Sequence, residues 1–115
     1  IKRKWSRHAV VEIMFPMETA IHASHPRVKH NRGRVALSRG PLVYCMESVD
    51  NPGVSVPGAV LDTGSPLVTR WSPGLCGGAC LIEGKDPSGR DLVFIPYYAW
   101  ANRGPSSMEV WVRSR

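Results

Sequence analysis

The sequence holds no apolar run approaching the ~18 residues needed to cross a bilayer, and its first residues lack the apolar stretch of a secretory signal. Any targeting segment of a parent protein is expected to lie outside these residues. A sustained 3.6-residue apolar period is missing too, and ten prolines in 115 residues argue against helices. Cysteine is scarce: the three thiols cannot all pair, and Cys45, in the apolar run Leu42-Val43-Tyr44-Cys45-Met46, reads as a reduced core residue. Cys76 and Cys80, in Cys-Gly-Gly-Ala-Cys, are spaced for a metal pair or a small disulfide loop. A structural zinc site, however, wants four ligands, in a tighter pattern, and there is no second pair. No metal and no cofactor is therefore expected, and the cysteine usage favours a reducing, cytoplasmic compartment. A Gly-x-Ser-x-Gly elbow is also lacking, which leaves nothing to raise the case for a serine triad.

What is there reads as one compact domain, residues 1–115, with 43% apolar residues and hence a packed core. The chain opens at Ile1 and runs straight into Lys2-Arg3-Lys4-Trp5, as an excised piece of a larger protein would. Short apolar segments recur at roughly ten-residue spacing between Gly, Pro, Asn and Asp. They predict strands near 9–15, 19–24, 33–38, 42–48, 59–63, 67–72, 79–84, 91–97 and 107–113. The fold class implied is all-β: an antiparallel, jelly-roll-like β-sandwich of eight to nine short strands. In the last segment, Met108, Val110 and Val112 should share one face, with Glu109, Trp111 and Arg113 on the other. Asp50-Asn51-Pro52-Gly53 and Asp86-Pro87-Ser88-Gly89 carry turn chemistry, and Asp50 to Gly58 reads as a long loop.

The charge is lopsided. Residues 1–39 hold nine Lys/Arg against two acids, and residues 40–115 six against seven. These cations alternate with strand-like apolar residues, so a solvated or interdomain face is expected and nucleic acid is not. A glycosidase needs two carboxyl groups facing each other across its substrate. Here Asp50, Asp86 and Asp91 lie in or beside turns, while Glu12, Glu47, Glu83 and Glu109 alternate with apolar residues as solvent-facing positions do. No pair is selected, and His22, His25 and His30 fall on no motif. The aromatics carry more weight: Trp71, Tyr97, Tyr98 and Trp100, with the neighbouring Asn102 and Arg103, could line an interdomain seam, or the flat rings could stack on sugar. Because the tyrosines follow Leu92-Val93-Phe94-Ile95-Pro96, packing is favoured over ligand stacking.

Two blocks go beyond composition: Asn31-Arg32-Gly33-Arg34-Val35-Ala36-Leu37-Ser38-Arg39-Gly40-Pro41-Leu42-Val43-Tyr44-Cys45 and Pro96-Tyr97-Tyr98-Ala99-Trp100-Ala101-Asn102-Arg103-Gly104-Pro105. Together they resemble glycoside hydrolase family 127, the bacterial β-L-arabinofuranosidases and their relatives. The likeness runs from about Trp5 to Trp111-Val112 and is loosest from Gly53 to Pro73. It implies a parent with a helical (α/α) barrel carrying the active site, followed by C-terminal β-sandwich domains. It also implies a zinc-bound cysteine nucleophile and a glutamate acid/base, both in the barrel. This chain lacks the adjacent cysteine pair of that metal site, so no catalytic or metal residue is carried over. The function implied is a non-catalytic C-terminal domain whose partner is the barrel of its own parent, with self-association as a second expectation. An autonomous carbohydrate-binding module is the alternative. No membrane partner is expected.

Overall fold

The computed structural model describes residues 1–115. Nine strands form one curled, mixed sheet: β1 (Thr19–Ala23), β2 (Arg34–Arg39), β3 (Leu42–Glu47), β4 (Val60–Leu61), β5 (Val68–Ser72), β6 (Ala79–Lys85), β7 (Asp91–Pro96), β8 (Met108–Glu109) and β9 (Val112–Ser114). The remaining regular structure is three single 3-10 turns, at Lys29–Asn31, Val56–Gly58 and Tyr97–Ala99. The all-β expectation holds.

The curl is made at β3. Its first half closes a hairpin with β2, pairing Ser38 with Val43 and Arg39 with Leu42. Gly40 supplies the positive φ (+54°) that this tight turn needs. From Tyr44 onward β3 changes partners. Tyr44, Cys45 and Met46 pair with Pro96, Ile95 and Phe94 of β7, while Met46 and Glu47 pair with Glu109 and Met108 of β8 on the opposite edge. One wing of the sheet is therefore β1, β2, β9 and β4; the other is β8, β7, β6 and β5.

Because side chains alternate along each strand, the bend gives the wings a common inner face. Val35, Leu37, Leu61 and Val112 from one wing pack in one core with Tyr44, Met46, Ile82, Leu92 and Phe94 from the other. The alternate residues Cys45, Leu81 and Ile95 point the other way, into a smaller cluster closed by Leu75 and Ala99. Around β3, β6 and β7 the second wing is thus buried on both faces, while its edge strand β5 stays exposed. The Tyr44 hydroxyl donates to the Cys80 carbonyl (2.7 Å), which satisfies the one polar atom that this large core side chain carries.

Three expectations are corrected. Residues 9–15 form no strand in this chain. The expected strand 107–113 is two strands, broken at Val110–Trp111, because Met108–Glu109 pairs with β3 whereas Val112–Ser114 pairs with β2 and β4. Its simple alternation fails for the same reason: Met108 and Val110 pack on the smaller cluster, and Val112 enters the larger core. Finally, the pairing is not purely antiparallel, since β4 runs parallel to β9 through Val60–Arg113 and Leu61–Ser114. An antiparallel jelly roll is not what these strands build.

Candidate functional site

The turn Tyr97–Ala99 follows β7 directly and leads into a loop that returns at β8. Ala99 is buried, which turns its neighbours outward: Tyr97, Tyr98 and Trp100 are all about half exposed. The Tyr97 and Trp100 rings stack on each other, 6.3 Å between centroids and 23° between planes. Asn102 folds back and donates to the carbonyls of Tyr98 (3.4 Å) and Trp100 (3.2 Å), fixing the turn that presents these rings. Trp71 stands on β5, an edge strand, and is 63% exposed. Its indole lies over Gly78, where a Cβ would come within 2.4 Å of it. The sheet register pairs Trp71 with Cys80 and Tyr44 with Pro96, at the same end of the second wing as the Tyr97 turn.

Arg103 is placed differently from the aromatics. Its guanidinium takes both oxygens of Asp50 (2.6 and 2.5 Å) and one of Glu47 (2.9 Å). Glu47 is completely buried, and its other oxygen accepts the Ala101 amide (3.2 Å) and the Ser106 hydroxyl. This corrects the reading of Glu47 as solvent-facing. Burial alone would raise its pKa; the hydrogen bonds from Ser106, Ala101 and Arg103 outweigh it and hold the carboxyl below the usual range. The same contacts, led by Asp50, raise the Arg103 pKa. Ala101, held by Glu47, sits in the left-handed region at φ +61°, a conformation that costs a non-glycine residue about 1 kcal/mol or more. The network is a latch. It ties the end of β3 and the Asp50 turn to the loop carrying the aromatics.

Glu47 and Asp50 are the one pair of carboxylates that converge, and they cannot work as a glycosidase pair. Both are spent on a single arginine, and Glu47 has no exposed surface for a substrate or water to reach. The other acids of the sheet and its turns are engaged too: Glu83 with Arg70 and Asp91 with Lys85 in exposed pairs, Glu109 with Arg34 in a half-buried one, and Asp62 and Asp86 capping their own turns. Cys45 is buried, and its thiol is pushed up to about 12, by desolvation first and by Glu47 second, which leaves it protonated and unreactive. No group of three His, Cys, Asp or Glu side chains converges as metal ligands would. His22 bonds Ser38 (2.7 Å), and His25 accepts the Arg27 amide in a turn (3.2 Å).

Three shallow clefts, of about 330, 340 and 230 Å³, open elsewhere on the surface, and none is lined by Trp71, Tyr97, Tyr98 or Trp100. The aromatic candidates thus occupy projecting surface, not a pocket. Sequence reasoning found these rings but missed Glu47 and Asp50 as the fasteners behind them. It also missed Arg39, whose Nε is buried without any partner in the chain.

A family model, that of the glycoside hydrolase family 127 C-terminal domain, matches residues 19–113. This chain belongs to that family. Among the relatives of this family 127 domain, a non-reducing end β-L-arabinofuranosidase from Bifidobacterium longum subsp. longum is 29% identical over an alignment of 126 positions, covering 90% of this chain and 19% of that protein. A crystal structure of a family 127 β-L-arabinofuranosidase from Geobacillus stearothermophilus T6 superposes with a TM-score of 0.76 at 37% identity, over 88% of this chain and 19% of the other. A second β-arabinofuranosidase of the family gives 0.76 at 35% identity, over 86% and 17%. The family 127 domain therefore spans about a fifth of the length of the relatives it matches, and in them it accompanies a much larger remainder.

Proposed function

We propose that this domain is a non-catalytic brace of a β-L-arabinofuranosidase-like glycoside hydrolase, docking on the catalytic part of its parent. One observation carries the reading. The interior is packed and its acids are spent, while large apolar residues, Trp71, Tyr97, Tyr98 and Trp100 among them, are left on the outside. Trp71, Tyr97, Tyr98 and Trp100 on a projecting, latched surface have the composition of an interface core, where Trp, Tyr and Arg dominate binding energy. Arg39 Nε, buried without a partner, costs the isolated domain about 1–3 kcal/mol. The two wings that share one core around β3 fit a sandwich-like module, the shape implied for the C-terminal part of such a parent. The three free thiols fit a reducing, cytoplasmic setting. The same apolar surface would drive self-association of the isolated domain.

A sugar-binding reading rests on the same rings, but Tyr97 and Trp100 already stack on one another and no cleft includes them. Titration of the 115-residue chain with arabinose-containing oligosaccharides is expected to give no saturable heat. Light scattering is expected to show species larger than a monomer, shifting toward monomer in Trp71→Ala/Trp100→Ala. Saturable sugar binding that disappears in Trp100→Ala would replace the brace with a carbohydrate-binding module. Hydrolysis of an arabinofuranoside by the purified chain would overturn both.

A further inference from the structure

Residues 9–15, Ala9-Val10-Val11-Glu12-Ile13-Met14-Phe15, have the apolar composition of a strand but pair with nothing in the chain. No backbone hydrogen bond within the chain involves residues 1–17. Eight of the seventeen exposed large hydrophobics lie there. Neither face of the segment is covered: Val11, Ile13 and Phe15 are 44%, 70% and 60% exposed, and Val10 and Met14 on the other face are 87% and 85% exposed. The segment also makes the molecule long. The radius of gyration is 17.0 Å, against roughly 13 Å for a compact domain of this length. Its departure point is fixed, because the Gly40 amide donates to the Glu18 carbonyl (2.9 Å) and Met17 sulfur packs against the β2–β3 turn. Beyond Met17 the chain leaves the sheet.

Resting on the docking reading above, we infer that residues 9–15 are a donated strand, which adds to an open sheet edge in the part of the parent outside this domain. Such strand addition draws affinity from main-chain hydrogen bonds and selectivity from alternate side chains, here Val11, Ile13 and Phe15. The family model begins at residue 19, after this segment, and the nine strands of the domain's own sheet form without it. The relatives are about five times the length of the match, which supplies a neighbouring body. The flank, with Lys2, Arg3, Lys4 and Arg7 against Glu12 and Glu18, favours an acidic rim over a second copy carrying the same basic flank.

The test joins residues 1–115 in place of the matching fifth of the Geobacillus stearothermophilus relative, and compares hydrogen exchange of the amides of residues 10–15 in that chimera with the free 115-residue chain. Free, these amides are expected to exchange within about tenfold of an unstructured peptide; in the chimera, at least ~100-fold slower. Of the adjacent variants Val10→Pro and Val11→Pro, one removes a donor facing the partner edge and should abolish the protection, while its neighbour is tolerated. Neither touches the 19–113 sheet, so folding of the domain is preserved. If the chimera protects Trp71 and the Tyr97 turn but not residues 10–15, the donated strand is wrong and the brace stands. If nothing is protected, both fall. Concentration-dependent protection in the free chain would assign the strand to a second copy and overturn the occupant named here.

Discussion

Replacing Glu47 by Gln keeps the side chain's volume and removes only its charge, so it weighs the latch directly. Glu47 is fully buried and holds three donors: the Ala101 amide, the Ser106 hydroxyl and Arg103 Nη2 at 2.9 Å. A glutamine carbonyl can keep the first two. Its NH2 group would then face Arg103, donor against donor. Breaking a buried ion pair costs about 3–5 kcal/mol. Arg103 is about a third exposed and keeps both oxygens of Asp50, so part of that loss is recovered by solvent and the remaining pair, and about 2–3 kcal/mol is expected. For a domain of this size that is a fall in Tm of roughly 10 °C, read by thermal unfolding at pH 7. The pH dependence has a fixed sign. Because the folded carboxyl is held below its unfolded value of about 4.3, its stabilisation is complete above that pH and disappears as pH falls through the folded pKa. Wild type and Glu47→Gln should therefore converge in acid. A variant within 0.5 kcal/mol of wild type at pH 7, or a gap that ignores pH, would refute the latch.

Three further outcomes follow from the same geometry. Asn51→Ala removes the side chain that bonds the Glu47 carbonyl (2.8 Å) and both backbone groups of Val93 (2.9 and 2.8 Å), leaving β7 groups unpaired; roughly 3 kcal/mol should be lost in denaturant unfolding. Gly78→Ala puts a Cβ 2.4 Å from the Trp71 indole at a backbone φ of +125°, so a loss of about 1–3 kcal/mol and greater accessibility of Trp71 to a fluorescence quencher are expected. In thiol labelling of the native protein, exposed Cys76 should react at once, whereas Cys45, buried and held protonated to about 12, should react only as fast as the domain unfolds. Rapid labelling of Cys45 would contradict the outer cluster.

Eight of the expected strand segments correspond to strands or strand pairs of the fold, because Gly, Pro, Asp and Asn mark their ends and local turn chemistry needs no distant partner. Asp86 illustrates this: its carboxylate accepts from Ser88 and Arg90 inside one turn, all within five residues. What sequence could not supply was partnership. Glu47 reads as a polar residue alternating with Met46, and only Arg103, 56 positions later, makes its burial possible. The segment 107–113 has a clean period of two, yet its halves serve different strands. Residues 9–15 have the apolar composition of a strand and lack a sheet within this chain. Trp71, Tyr97, Tyr98 and Trp100 were legible as a group, since an aromatic run after a buried strand needs somewhere to go; the choice between core and surface was made by Ala99, which takes the inward place.

These failures share a direction. Each strand within residues 19–114 finds its partner, the inner strands β2, β3, β6 and β7 bury most of their apolar residues, and the polar groups left inside are nearly all bonded, with Asn51 and Glu47 as the demanding cases. The groups left unmet are concentrated where the fold stops: the backbone of residues 1–17, the rings around Tyr97, the exposed Ile21 on edge strand β1, and Arg39 Nε beside the β2–β3 turn. A domain evolved to stand alone would be expected to blunt such edges with charge or cover them. This one packs its interior and leaves apolar groups at its boundary, and the latch of Glu47, Asp50 and Arg103 holds part of that boundary rigid, as the docking proposed above requires.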